Sequence, residues 1–362
     1  MPNPVANIFL DRLESNVRFI HKKSGNKKIL AVVKANAYGH GLTEIVKALD
    51  KTDVHGFCVS SENELIDILK TKTKKPVLML SRFDKKHADL LKNNQVRLSI
   101  HNIDDIKWIV KIAQKLKIII QVHVKIDTGM SRLGINPDDL NKVIHEVKRY
   151  NCINIEGVWT HMSSADSDEK FTRDQLKIFN KCMSNFAESG VKPIYIHTAN
   201  SAAIMRFPES HFNTVRPGLL LYGVSPLLKS VKGLRPIMEF SAPLVLKKNI
   251  KKGISVGYNR QFQSEKETVI GTIQAGYADG IPSCMNNNGQ VSIKKKMYPI
   301  CGNISMDMTT IDLGLNLQSD SEMCYFWGVP PLYIESLAQK YKKLPYEFLV
   351  SLSSRVKRVY YD

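Results

Sequence analysis

One lysine stands where a reactive site can be built. Lys34 follows the short apolar run Ile29–Val33, and Tyr38, Gly39 and Gly41 come within the next seven residues. A lysine amine at a strand end can form a Schiff base with an aldehyde, and neighbouring glycines let backbone approach a phosphate. This combination is typical of a site for pyridoxal phosphate (PLP). On this run alone, an ordinary solvated lysine is an equally good explanation, because the chain holds 52 lysines and arginines.

The elements that must position Lys34 are visible as repeated apolar, β-branched runs. These runs are Ile29–Val33, Gly56–Val59, Pro76–Leu80, Val96–Ile100, Ile118–Val124, Ile155–Thr160, Ile194–Ile196 and Thr214–Val215. Amphipathic stretches of helical period lie between them. Strand alternating with helix about eight times predicts a parallel (β/α)8 barrel of the TIM type, with a doubly wound sheet as the alternative.

Polar residues cluster at the predicted carboxyl ends of these strands, where barrel enzymes carry their active sites. They are Lys34, Arg132, His161, His197, Ser201 and Arg216. Taken singly, each has a commoner structural explanation, such as a hydrogen-bonded core histidine or an arginine that ends a turn. Taken together on one rim, they predict a functional site.

The pattern of predicted secondary structure changes after about Gly233. Short β-rich runs such as Phe240–Lys247 and Val269–Gln274 then alternate with glycine and proline turns. We therefore predict a PLP-binding barrel over residues 1–233 and a mostly β C-terminal domain over residues 234–362.

Charge, apolar runs and cysteine spacing limit the binding partners and the compartment that we expect. The formal net charge is +18, but the lysines are scattered and no nucleic-acid-binding motif accompanies them, so we expect no nucleic-acid partner and a surface that attracts small anions. No apolar run is long enough to span a membrane and no signal peptide is visible, which predicts a cytoplasmic protein without a membrane partner. The six cysteines show no CxxC pair or metal-ligand spacing, so reduced thiols and no metal are expected.

Nine segments resemble the alanine racemase family, PLP enzymes of fold type III. In the family's order they are Ala31–Gly41, Lys125–Gly134, Thr160–Met162, His197–Ala203, Arg216–Gly223, Val256–Tyr258, Gly276–Gly280, Ser305–Asp307 and Arg355–Val356. They are distributed over most of the chain.

The resemblance implies roles for the reacting groups. Lys34 would bind PLP covalently and act as one base, and Tyr258 would be the opposing base, contributed by the partner subunit of a homodimer with shared active sites. Arg132 would bind the substrate carboxylate. Lys125 matches a lysine that is often carbamylated in the family to hold that arginine.

The resemblance also implies the surroundings of the cofactor and substrate. Phosphate contacts would come from Tyr38, Ser201, Gly218 and Leu219. His161 would pack against the cofactor ring, Arg216 would bond its nitrogen, and His197 would support Arg216. Tyr277 would lie at the entrance and Met306 near the substrate carboxylate. Ser354 stands where some members have a phosphate-binding tyrosine, so that contact is in doubt.

These roles suit racemisation, in which two bases on opposite faces remove and return a proton. Lysine and tyrosine are both protonated in neutral water, so the site must lower the pKa of at least one base. An arginine does not give up its proton, so a ring nitrogen bonded to Arg216 stays neutral and is a weak electron sink.

We therefore expect a PLP-dependent racemase that interconverts L-alanine and D-alanine and supplies D-alanine for peptidoglycan. Three alternatives stay open. They are a racemase of broader specificity that accepts serine or other amino acids, a fold-type III PLP decarboxylase and a non-catalytic PLP carrier. The resemblance to the decarboxylases would require a Glu-Pro-Gly pattern where this chain has Arg216-Pro217-Gly218. The carriers lack a second domain.

Overall fold

The computed structural model describes residues 3–315 and 322–362. The chain forms two compact units. One contains residues 16–37 and 42–221, and the other contains the described residues up to Ser15, residues 38–41 and the described residues from Tyr222 onward. The division at residue 233 stays a prediction.

The first unit is a closed barrel of eight parallel strands, so the predicted (β/α)8 barrel is confirmed. The strands are Lys28–Val32, Gly56–Val59, Val77–Met79, Val96–Ile100, Ile120–Lys125, Ile153–Trp159, Tyr195–His197 and Thr214–Val215. Around them run Leu42–Asp50, Glu62–Lys70, Ile103–Leu116, Leu140–Lys148, Glu169–Glu188 and Ser201–Arg206 as α-helices, with 3₁₀ turns at Lys85–Lys92, Pro137–Asp139 and Pro208–Ser210. Helix Leu10–Ser24 precedes the first barrel strand.

Hydrophobic burial explains why these segments form barrel strands. All four residues of Gly56–Val59 are buried, as are the three of Val77–Met79. Parallel strands covered on both faces read as continuous apolar runs, which is the pattern of the sequence. Helix Leu42–Asp50 buries Leu42, Ile45, Val46 and Leu49 along one stripe and leaves its other face to solvent.

The second unit is mostly β, as predicted. Among the described residues it holds one sheet of eight strands. Six of them follow each other in the order Lys296–Pro299, Gln290–Ile293, Met323–Trp327, Met238–Ile250, Val5–Phe9 and Lys357–Tyr361. Thr268–Ile273 also pairs with the long strand Met238–Ile250, and Thr309–Asp312 pairs with Thr268–Ile273.

Smaller elements complete this unit. Ser255–Val256 and Phe262–Gln263 form a separate two-stranded ladder around a 3₁₀ turn at Tyr258–Arg260. The helices Ile334–Tyr341 and Pro345–Val350 precede the last strand, and Ser283–Met285 is a further 3₁₀ turn.

Three further observations concern membrane helices, metal ligands and thiols. Within residues 3–315 and 322–362, no helix is both long and apolar enough to cross a membrane. No group of three or more potential ligands among the described residues could hold a metal ion. All six cysteines are free thiols.

Candidate active site

Lys34 begins a left-handed turn directly after the first barrel strand. Ala35, Asn36 and Ala37 have φ of 52°, 54° and 52° and ψ of 53°, 46° and 51°. The turn is held by side chains, since Glu64 Oε1 accepts from the Ala35 N–H at 2.6 Å and Asn36 Oδ1 accepts from the Leu42 N–H at 2.8 Å. These bonds fix the backbone that carries Lys34.

The Lys34 amine lies in surroundings that disfavour its protonated form. Burial lowers the pKa of Lys34, and the positive charge of Arg132 adds to this, while Glu64 and Cys58 act in the opposite direction. A lower pKa increases the fraction of neutral amine, which is the form that attacks an aldehyde or takes up a proton.

The two glycines after Lys34 make room for protein. A Cβ at Gly39 would collide with the backbone carbonyl of Leu349, and one at Gly41 would collide with the Tyr360 hydroxyl. Both glycines have positive φ, 81° and 97°. The side of each glycine where a Cβ would stand is therefore filled by protein, and a phosphate contact in this segment stays a prediction. Tyr38 is buried in the same unit, where its ring stacks on Tyr222 with 4.8 Å between centroids.

Arg216 is a buried cation at the end of the eighth strand. Its Nη1 donates to Nδ1 and the carbonyl of His197 at 2.8 and 2.6 Å. Its Nη2 donates to the carbonyls of Thr160 and Thr198 at 2.6 and 3.2 Å. No acceptor among the described residues contacts its Nε–H. Burial lowers the pKa of Arg216 to about 10, which leaves it charged at neutral pH.

Ser201 is hydrogen-bonded to the turn that contains Gly218 and Leu219. Its Oγ accepts from the backbone N–H groups of Gly218 and Leu220 at 2.9 and 3.4 Å. The N–H of Leu219, between them, has no acceptor in the described part of the chain. Ser201 is the first residue of its helix, so unpaired N–H groups are expected at this end.

Lys125 lies inside the barrel and makes no ion pair with a carboxylate of the described residues. Its Nζ is 4.7 Å from the centre of the Trp159 ring. Burial lowers the pKa of Lys125 to about 8, and the charges of Arg132 and Arg216 act in the same direction. Trp159 also contacts the Arg216 guanidinium, with 4.8 Å from Cζ to the ring centre.

Asp127, the carboxylate nearest Lys125 in sequence, is used by the loop that carries Arg132. Its Oδ1 accepts from the backbone N–H groups of Gly129, Met130 and Ser131, each at 3.0 Å. Arg132 itself is exposed and has no acidic partner among the described residues. This leaves a guanidinium available to an external carboxylate.

The histidines of the rim are held neutral. Burial lowers the pKa of His161 well below its usual value, and Arg216 and Lys125 add to this effect. Burial and Arg216 do the same for His197. The barrel unit thus brings together Lys34, Lys125, Arg132, His161, His197, Ser201, Arg216, Gly218 and Leu219.

Tyr258, Tyr277 and Met306 belong to the second unit and are open to solvent. Their exposed fractions are 69%, 52% and 53%. The Asn303 side chain donates to the Tyr258 carbonyl at 3.3 Å, and the Tyr277 N–H donates to the carbonyl of Ser305 at 3.0 Å. Tyr258 and Tyr277 therefore both form hydrogen bonds with the segment of residues 303–305. Ser354 is exposed in this unit.

Comparison with known proteins decides the family. The model of the alanine racemase N-terminal domain matches residues 8–226, and that of the C-terminal domain matches residues 237–360. This chain belongs to the alanine racemase family. The alanine racemases of Treponema denticola and Actinobacillus succinogenes are 34% and 36% identical to it, over 99% and 97% of the chain and 98% and 97% of their own lengths.

Solved structures of alanine racemases agree. That from Clostridium difficile 630 superposes with a TM-score of 0.93 at 30% identity, over 100% of this chain and 96% of its own. That from Bartonella henselae, described with covalently bound pyridoxal phosphate, gives a TM-score of 0.90 at 26% identity over 100% of both chains.

Two polar residues near the site of this alanine racemase family member are not predicted from the sequence. His123 and Glu156 lie inside the barrel and contact His197 and Arg97, respectively. The sequence does contain one signal for His123. It lies two residues before Lys125 in the same strand, so both side chains point to the same face of the sheet.

Proposed function

We propose that this chain is a PLP-dependent racemase that interconverts L-alanine and D-alanine. The observation that carries the proposal is Arg216, a buried and charged residue whose Nε–H has no acceptor among the described residues, on the same rim as the lysine with a lowered pKa. Membership of the alanine racemase family supports the substrate. A guanidinium at this position argues against the decarboxylase alternative, because the decarboxylase pattern has a glutamate there.

The residues present fit PLP. Lys34 would hold its aldehyde carbon, and Arg216 would donate from Nε to its ring nitrogen. Ser201, Gly218, Leu219 and Tyr38 would contact the phosphate and His161 the ring. When bound, PLP stabilises the negative charge that develops on the substrate's α-carbon.

The protein's own groups then perform two tasks, orientation and proton transfer. Arg132 binds the substrate carboxylate by charge-assisted hydrogen bonds, which fixes the direction of the α-proton. The Lys34 amine takes or returns that proton on one face, and the Tyr258 hydroxyl does so on the other. Tyr277 and Met306 would limit the size of the side chain that enters.

We further propose a homodimer in which Tyr258 completes the site of the other subunit. The support is that Tyr258 is 69% exposed on its own chain and that the family resemblance assigns it this role. We also propose that the enzyme acts in the cytoplasm and supplies D-alanine for peptidoglycan.

The direct test is an assay of the purified, PLP-loaded protein against each L-amino acid, with chiral detection of the D-product. We expect D-alanine from L-alanine, and the same equilibrium from D-alanine. D-Serine formed at a comparable kcat/KM would favour the broader-specificity alternative. Carbon dioxide release without a D-product would reject the racemase.

A further inference from the structure

A continuous line of buried polar groups crosses the inside of the barrel. It comprises Arg216, His197, His123, Glu156 and Arg97, here called the barrel chain. His197 Nε2 and His123 Nδ1 are 2.8 Å apart, and His123 Nε2 is 3.3 Å from Glu156 Oε2. Arg97 binds both oxygens of Glu156, with Nε–Oε2 at 2.9 Å and Nη2–Oε1 at 3.0 Å.

The hydrogen bonds of the barrel chain all run in one direction, from Arg216 towards Glu156. Arg216 can only donate, so His197 Nδ1 must accept. A neutral His197 then carries its proton on Nε2 and donates to His123 Nδ1. His123 in turn donates from Nε2 to the carboxylate of Glu156. Burial lowers the pKa of both histidines, which agrees with neutral rings.

The backbone is shaped to hold the His123 ring. A Cβ at Gly157, the register partner of His123 on the next strand, would lie 2.7 Å from His123 Cγ, so only glycine leaves room for the ring. Gly157 has no positive φ in the structure, so space rather than backbone conformation requires glycine here. Tyr195, the register partner of Gly157 on the following strand, stacks on the His123 ring with 5.5 Å between ring centroids.

Stability alone does not explain these residues. The interior of a TIM barrel is usually filled by branched apolar side chains. Buried ion pairs are often replaceable by apolar residues at no loss of stability. Glu156 and Arg97 are nevertheless only 10% and 15% exposed, and His123 is 2% exposed. A fully satisfied polar network instead fixes orientation.

We propose that His123 and Glu156 are positioning residues for Arg216, acting through His197. The carboxylate at one end polarises both imidazoles in series, so His197 Nδ1 becomes a stronger acceptor for Arg216 Nη1. Both Nη groups are then occupied, and the Nε–H remains for the cofactor nitrogen. This inference rests on the proposed function only where it concerns the cofactor.

The test compares two replacements of His123. Glutamine can still accept from His197 through its amide oxygen and donate to Glu156 through its amide nitrogen. Leucine fills the space but removes both hydrogen bonds that His123 makes within the barrel chain. We expect His123→Leu to lower kcat for alanine roughly 10- to 100-fold, the range seen when outer hydrogen-bonding partners are removed. KM should change little, because Arg132 is untouched. His123→Gln should keep most of the activity.

A second readout uses the protein without cofactor. Nitrogen-15 NMR should show His123 and His197 protonated on Nε2 and unprotonated on Nδ1 in the wild type, with slowly exchanging Arg216 Nη protons. In His123→Leu those protons should exchange faster. His145→Gln, on the exposed face of helix Leu140–Lys148, is the matched control and should change neither readout.

Several outcomes would overturn the proposal. They are a wild-type kcat in folded His123→Leu, equal damage from leucine and glutamine, or a proton on His197 Nδ1 in the wild type. If His123→Leu does not fold, Glu156→Gln keeps the shape and removes the charge. An unchanged kcat and unchanged Arg216 exchange in Glu156→Gln would then reject the idea. If the wild type does not racemise alanine, the proposed function fails, while the NMR arm still decides whether the barrel chain holds Arg216.

Discussion

Lys125 and Trp159 are register partners on adjacent barrel strands, and the lysine Nζ lies 4.7 Å from the centre of the indole ring. The aromatic face attracts the protonated amine, and no carboxylate of the described residues forms an ion pair with it. A buried lysine without an acid partner is a candidate for chemical modification, because its neutral form is a nucleophile.

We predict that Lys125 is carbamylated by carbon dioxide and that the carbamate orients Arg132. Because the pKa of Lys125 is lowered to about 8, the reactive neutral amine becomes abundant as the pH rises through 8. A ¹³C carbamate signal from protein equilibrated with labelled bicarbonate should therefore be stronger at pH 9 than at pH 7.

Variants at position 125 give the control for that signal. Lys125→Arg should abolish it. Lys125→Ala should lose activity and regain part of it with added acetate or chloride. A spectrum without the carbamate signal at any pH, together with a fully active Lys125→Ala, would contradict the assignment.

Lys34 should be the residue that borohydride links to PLP. Its half-buried amine has a lowered pKa, whereas most lysines of this chain are exposed and have no reason to react at neutral pH. Mass spectrometry of the digested, reduced protein should find the cofactor on the peptide that contains Lys34. A label on Lys125 instead would show that the assignment of the two lysines is reversed.

Arg216→Glu should slow racemisation by at least about 100-fold and increase the share of turnovers that end in transamination. A glutamate carboxylate there would stabilise the protonated form of the ring nitrogen, which would make the cofactor a stronger electron sink. Arg216→Lys keeps the charge and serves as the control for the lost hydrogen bonds. If Arg216→Glu is folded and forms D-alanine at the wild-type rate, Arg216 has only a structural role.

Mixing two inactive variants tests the shared site. Lys34→Ala and Tyr258→Phe should each be nearly inactive. If Tyr258 acts across the dimer, one site of each refolded heterodimer has both residues intact, and random pairing returns about a quarter of the wild-type activity. Heterodimers confirmed by native mass spectrometry but without recovered activity would show that each chain uses its own Tyr258.

The barrel is the part of the fold that the sequence predicts best. The predicted runs Gly56–Val59, Val96–Ile100 and Thr214–Val215 are the observed strands without change. Strands buried on both faces produce apolar runs that stand out against amphipathic helices. By contrast, strand Val5–Phe9 was not predicted. Its partners Met238–Ile250 and Lys357–Tyr361 are far away in sequence, and five alternating residues carry little signal.

Two features near Lys34 and Arg216 are beyond sequence reasoning for physical reasons. The left-handed turn contains Ala35 and Ala37, which favour right-handed conformations, so tertiary contacts such as the Glu64 hydrogen bond determine it. The barrel chain depends on which side chains meet across eight strands. A histidine in the run Ile120–Lys125 says nothing about its partners until the strands are closed.

The left-handed turn also sets a conflict for anyone who evolves this enzyme in the laboratory. Each non-glycine residue in that conformation costs about 1–2 kcal/mol, and the turn has four of them in succession, from Ala35 to Tyr38. Ala35→Gly or Ala37→Gly would relieve part of this cost, yet would loosen the backbone that aims Lys34. Selection for heat tolerance alone would therefore enrich glycine at these positions, and the surviving variants would be more robust proteins and slower catalysts.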